Sequence, residues 1–210
     1  MKKLLSALCA LSLVTLSFTG CASNAAPKGN ADTEKTNFKV AIVQQLDHSS
    51  LDEIRLAMEQ ELDAKAAEKN ITITYKEFNG QNDASVLNQI GAQVVSDGYD
   101  AILPIATLAA TTMATATEET QTPVIYAAIS DPASSELTGI ANVTGTSDAL
   151  NTQQIMDMLF AVQPEVETVG LLYSNSEINS ATPIAQAKEY LDAKGIAYIE
   201  KTGNSTDEIL

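Results

Sequence analysis

The sequence predicts an α/β fold with parallel, doubly wound sheets, and three observations carry that prediction. From Phe38 onward, compact apolar runs of strand length alternate with amphipathic stretches of helix length. Capping residues, glycines and prolines stand where the periodicity changes. The alternation also restarts after residue 147, which divides the chain into a first lobe over 38–147 and a partial second lobe over 148–210.

Residues 38–43 form a compact β run, and a helix over 50–69 follows with Leu51, Ile54, Met58, Leu62 and Ala66 on one face. Ser50 and Glu53 have the spacing of a capping box at its start. Residues 71–78 alternate Ile71, Ile73 and Tyr75 against polar neighbours, a strand pattern. Asp83 then caps a helix carrying Val86, Leu87, Ile90 and Val94, which Gly98 ends. Strand three is 99–105, helix three 107–120 and strand four 123–129, with 142–146 as a short fifth strand. In the second lobe a helix over 152–162 precedes a strand over 168–173. A further helix opens at Thr182-Pro183 and closes at Gly195, and a strand over 196–200 follows. Ser205 and Glu208 pattern as another capping box five residues before Leu210, so a fragment or truncated product is expected.

The first residues are of a different kind. Met1-Lys2-Lys3 is basic, 4–18 is apolar apart from four Ser or Thr, and Phe18-Thr19-Gly20-Cys21 closes the run. Fifteen such residues fall short of the ~20 needed to span a bilayer, so 1–20 reads as a signal peptide rather than a transmembrane helix. Cys21 is the expected lipidation site and mature N-terminus, and 21–37, polar with Pro27 and Gly29, reads as a flexible tether. Without lipidation the product would simply be secreted. The expected location is the outer face of the cytoplasmic membrane, or a periplasmic lipoprotein, held by an N-terminal lipid only.

Removal of Lys2 and Lys3 with the leader leaves ten basic against 27 acidic residues, a net charge of −17. Nucleic acid and anionic headgroups are thereby disfavoured as partners, since both require clustered cations. After processing, Cys21 is the sole cysteine, so no intramolecular disulfide, thiol catalysis or cysteine metal site is expected. His48 is the single histidine, which excludes a histidine-rich metal site. There is no GxSxG elbow, phosphate loop or metal-binding run, and the chain is read as neither an enzyme nor a cofactor protein.

Ligands of doubly wound sheets bind beyond the carboxyl ends of the strands. That geometry nominates the loops 44–50, 79–82, 104–107, 127–132 and 173–180, which contain no Lys or Arg. The ligand is therefore expected to be neutral, cationic or zwitterionic rather than a phosphate. Thr107 at a helix start offers a seat for one carboxylate, Asp131 for an ammonium, and Tyr126 and Tyr173 for an apolar side chain. Each has a plainer alternative: a helix cap, an Asp-Pro turn, partly buried edge tyrosines and, for His48, a solvated loop histidine.

Several of these segments resemble the ABC-transporter substrate-binding lipoproteins of the tryptophan/tyrosine type. The resemblance rests on Asp47-His48-Ser49-Ser50-Leu51-Asp52, Pro104-Ile105-Ala106-Thr107 and Tyr126-Ala127-Ala128-Ile129-Ser130-Asp131-Pro132. Asn142-Val143-Thr144-Gly145-Thr146 and Tyr173-Ser174-Asn175-Ser176-Glu177-Ile178-Asn179-Ser180 complete it. It implies a two-lobed periplasmic-binding-protein type I architecture, with the second lobe incomplete here. It further implies a monomer that closes on an aromatic amino acid or similar small molecule and hands it to ABC permease subunits. Carried over by motif, Thr107, Asp131, Thr144 and Gly145 would contribute from lobe one, His48 and Ser49 from the rim, and Asn175 and Asn179 from lobe two. An alternative in another class is a lipoprotein sensor that signals to a membrane receptor.

Overall fold

The computed structural model describes residues 35–204 and 206–209. The leader, Cys21 and most of the tether lie outside the described residues. Seven strands and their helices alternate along the chain: β1 (Asn37–Gln44), α1 (Ser49–Lys69), β2 (Thr72–Asn79), α2 (Ala84–Ser96), β3 (Ala101–Ile105), α3 (Thr107–Ala116), β4 (Val124–Ile129) and β5 (Val143–Ser147) come first. They are followed by α4 (Thr152–Val162), β6 (Thr168–Tyr173), a 3-10 turn at Ile178–Ser180, α5 (Ala181–Lys194), β7 (Ala197–Thr202) and the short α6 (Thr206–Ile209).

Every strand pair is parallel. The first sheet has the order β2-β1-β3-β4-β5 and the second pairs β6 with β7. In the first sheet the chain steps from β1 outward to β2 and then back across β1 to β3. Neighbouring connections therefore diverge at the carboxyl ends of β1 and β3, the topological switch point at which such sheets bind ligands. Val40, Ala41, Ile42 and Val43 are all buried, so both faces of β1 are covered. Ala41 and Val43 pack with Leu87, Ile90 and Val94 of α2 and with Ala109 and Met113 of α3.

Several boundaries differ from the sequence reading for local physical reasons. The tether ends earlier than residue 37: Lys35 pairs with Asp100, and the Thr72 N–H donates to the Thr36 carbonyl at 2.7 Å. The Ser50–Glu53 capping box does not form at the start of α1; His48 is the N-cap, its Nδ1 accepting from the Ser50 N–H at 3.3 Å. Helix α3 stops at Ala116 rather than Thr120, because the Thr117 hydroxyl donates to the carbonyls of Met113 and Ala114 and closes the last turn. Pro183 is the third residue of α5 rather than the first, a position whose N–H the helix does not use. Asp83 and Gly195 cap α2 and α5 as the sequence indicates, Gly195 with φ 68°.

Candidate functional site

The site is built around Gln45, the residue that follows β1. Its backbone N–H donates to the Ile105 carbonyl at 3.2 Å, so the β1–β3 pairing extends one residue past the strand and draws the side chain under α3. Only 3 % of Gln45 is exposed, and a buried amide must find partners. Its Oε1 accepts from the Leu108 N–H at 2.9 Å, in the first turn of α3, and its Nε2 donates to Asn82 Oδ1 at 2.8 Å. One buried side chain thus fixes the start of α3 relative to the loop after β2.

The turn that delivers α3 is strained. Ala106 has φ 76° and ψ 163°, a region otherwise occupied by glycine, and its N–H donates to the Ala127 carbonyl of β4 at 3.0 Å. Such conformations cost about 1–3 kcal/mol and concentrate at functional sites. The result here is that Thr107, 6 % exposed, begins the helix beside Gln45.

Across from this corner lies the loop after β6. Ser176, Glu177 and Ile178 line a pocket of about 150 Å³ together with Gln45, Asn82, Thr107 and Leu108. The Asn82 Nδ2 donates to Glu177 Oε1 at 3.4 Å, a contact between the two lobes. A second contact joins the Thr182 hydroxyl to Asp131 Oδ2 at 2.8 Å. No Lys or Arg lines this pocket. Asn204 organises the lobe-two wall from behind, its Oδ1 accepting from the Asn175 N–H at 3.1 Å and the Ser174 hydroxyl at 3.0 Å.

Of the residues singled out from sequence, the structure brings Thr107 into this pocket, while Asn175 and Asn179 flank the Ser176–Ile178 segment that lines its far wall. His48 and Ser49 are exposed at the start of α1. Asp131 stands beside the cleft with both oxygens engaged: Oδ1 accepts from the Ala133 and Ser134 N–H groups, and Oδ2 from Thr182. The Ser134 amide and the Thr182 hydroxyl hold its carboxyl below the usual range. Tyr126 lies elsewhere, 8 % exposed in a core cluster with Ala110, Ala114, Ile129 and Leu137. Tyr173 donates its hydroxyl to Glu200 at 3.0 Å, which raises its pKa and pins the ring to the β6–β7 sheet.

Thr144 and Gly145 are on the exposed edge strand β5. Gly145 has a packing reason to be glycine: a Cβ there would lie 2.2 Å from the Tyr126 carbonyl oxygen and 2.4 Å from its ring. Sequence reasoning did not single out Gln45, Asn82, Glu177 or Thr182. Gln45, Asn82 and Glu177 stood in three of the nominated loops, and the strand order places the ends of β1 and β2 side by side. Among the described residues, no group of three or more His, Cys, Asp or Glu is placed to hold a metal ion, and no helix is long and apolar enough to cross a membrane.

The family described as ABC transporter substrate binding protein matches residues 39–210. The chain belongs to that family. A tyrosine-binding protein of Clostridioides difficile (strain R20291) is 28 % identical over 99 % of this chain and 62 % of its own length. A Streptococcus pneumoniae ABC domain solved in complex with L-Trp is 35 % identical, covers 82 % of this chain and 59 % of its own, and superposes with a TM-score of 0.74. A ligand-free, open substrate-binding protein with adhesive properties from Clostridium difficile is 29 % identical over 82 % of this chain and 59 % of its own, with a TM-score of 0.61. The chain therefore spans about three fifths of the length of these substrate-binding relatives. Two parallel sheets meeting at a switch-point cleft are the type I periplasmic-binding-protein architecture.

Proposed function

We propose that this protein is the extracytoplasmic binding component of an ABC importer, capturing an aromatic amino acid or a close analogue and presenting it to membrane permease subunits. The observation that carries the reading is the interlobe pocket at the β1–β3 switch point, where the first turn of α3 meets the Ser176–Ile178 segment without any basic side chain. Helix N-termini attract a carboxylate through their open N–H groups and dipole, without formal charge. Such a seat suits the single carboxylate of an amino acid better than a phosphate, for which guanidinium or ammonium partners are expected.

Size points the same way. About 150 Å³ is below the ~300 Å³ of a typical small-molecule pocket, room for a zwitterionic head rather than a whole aromatic ligand. The apolar part then runs outward past Leu108 and Ile178, the latter 46 % exposed at the pocket wall. Thr107 takes the carboxylate end, Asn175 and Asn179 border the opposite wall, and His48 and Ser49 stand at the rim. Asp131 ties the lobes together and leaves the ligand's ammonium to another group. The tyrosine-binding and L-Trp-complexed relatives support this ligand class. A lipid on Cys21 would keep the monomeric protein beside its permease, and no catalytic step is assigned to it.

Calorimetry against the twenty amino acids tests the reading. One-to-one binding of tyrosine, tryptophan or phenylalanine is the expected result, and heat from sugars or peptides alone would contradict it.

A further inference from the structure

We propose that Glu177 is the counter-charge for the ligand's ammonium group, delivered by the second lobe to a seat whose carboxylate end is the first turn of α3. The assignment rests on the amino-acid reading above and adds to it the residue that makes the site select a zwitterion.

A relay of forced polarity leads to Glu177. The Leu108 N–H can only donate, so the Gln45 atom facing it at 2.9 Å is the acceptor Oε1. Gln45 must then turn its Nε2 toward Asn82, which answers with Oδ1 at 2.8 Å. Asn82 in turn has only its Nδ2 left to present to the second lobe, and a donor there calls for an acceptor. Glu177 supplies one, Oε1 at 3.4 Å. A backbone N–H at the start of α3 thereby fixes that Asn82 faces the far wall with a donor, and Glu177 is the acceptor that meets it.

Charge explains why that acceptor is a carboxylate. Glu177 is the one acidic residue lining the pocket, and it is half-buried. Among the described residues no Lys or Arg pairs with it. A neutral amide at 3.4 Å is weak compensation for a partly desolvated negative charge. An ammonium group entering between Glu177 and the α3 N-terminus completes the balance, while its own carboxylate meets the helix end. Asp131 does not line the pocket, and the Ala133 and Ser134 N–H groups and the Thr182 hydroxyl already donate to its oxygens.

The test compares L-tryptophan with 3-indolepropionic acid, the same molecule without the amino group, by calorimetry on the whole chain. Wild-type protein is expected to prefer L-tryptophan at least tenfold. Glu177→Gln keeps an acceptor for Asn82 but removes the charge, and should cut L-tryptophan affinity at least tenfold while leaving the deaminated acid unchanged. Asp131→Asn should retain the wild-type preference. If Glu177→Gln preserves that preference, or loses both ligands in parallel, the ammonium assignment is overturned while the amino-acid reading stands. If wild-type protein binds no amino acid, the amino-acid reading falls and takes this assignment with it.

Discussion

The first strands of the two lobes, β1 and β6, are both apolar enough to read as sheet interior, yet they meet different surroundings. In β1 the consecutive residues Val40 to Val43 are all buried. In β6 only Leu171 is, and its neighbour Leu172 is 58 % exposed. The cause is coverage rather than strand chemistry. Strand β1 has a strand on each side and helices packed over it, whereas β6 pairs with β7 alone and keeps its core, Met156, Leu171, Ala187 and Leu191, on the face under α4 and α5. Leu172 on β6 and Ile199 on β7, 57 % exposed, lie on the other face. The comparison teaches that apolar patterning specifies a strand, while burial and stability depend on what covers each of its faces.

Core substitutions should separate the lobes most sharply. Ile102→Ala, at a fully buried β3 position, is expected to lower unfolding stability by about 3–4 kcal/mol, whereas Ile199→Ala should stay within about 0.5 kcal/mol. Denaturant midpoints measure both, and equal losses would break the contrast. Gly145→Ala should cost about 1–3 kcal/mol by the same measurement, because the added methyl must displace the Tyr126 backbone. Ala106→Gly should do the opposite: relief of about 1–3 kcal/mol of strain outweighs the 0.5–1 kcal/mol entropic cost of glycine and leaves a gain of about 1 kcal/mol.

The smallest effect concerns the contact between the lobes. Asp131 has a lowered carboxyl pKa in the folded protein, chiefly from the Ser134 N–H and then from Thr182. Its stabilising contribution is therefore complete above the unfolded value of about 3.9 and disappears as pH falls through the folded value. Between pH 5 and pH 3 the wild-type midpoint should drop more steeply than that of Asp131→Asn, and parallel curves would mean that the hydrogen bonds to this carboxylate add nothing to stability.

Much of the fold was legible because helices and parallel strands leave periodic signatures. The spans of α4 and β6 agree with the sequence reading, and Asp83 and Gly195 stand where caps were expected. The start of α1 was harder. Ser50 and Glu53 have capping-box spacing, but His48 Nδ1 accepts the Ser50 amide instead, and α1 begins one residue earlier, at Ser49. The candidate site was partly legible: the nominated loops after β1, β2, β3 and β6 all supply residues to the pocket, and none of them brings a basic side chain. Gln45 could not be recognised as its organiser, since its burial depends on β3 lying beside β1. Thr182 and Asp131 are 51 residues apart and meet only when the lobes do. The close packing of Gly145 on Tyr126 was not legible either, because contact between β4 and β5 has no periodic signature.

Under the proposed function, ligand binds in the interlobe pocket at the switch point. Amide chemical shifts followed by NMR during an L-tryptophan titration address it most directly. Saturable shifts at Gln45, Asn82, Thr107, Leu108 and Glu177 are the predicted result. Shifts confined to the larger hollow of about 660 Å³ between the start of α4 and the later turns of α5, at Leu150, Gln153 and Glu189, would place the ligand away from the switch point.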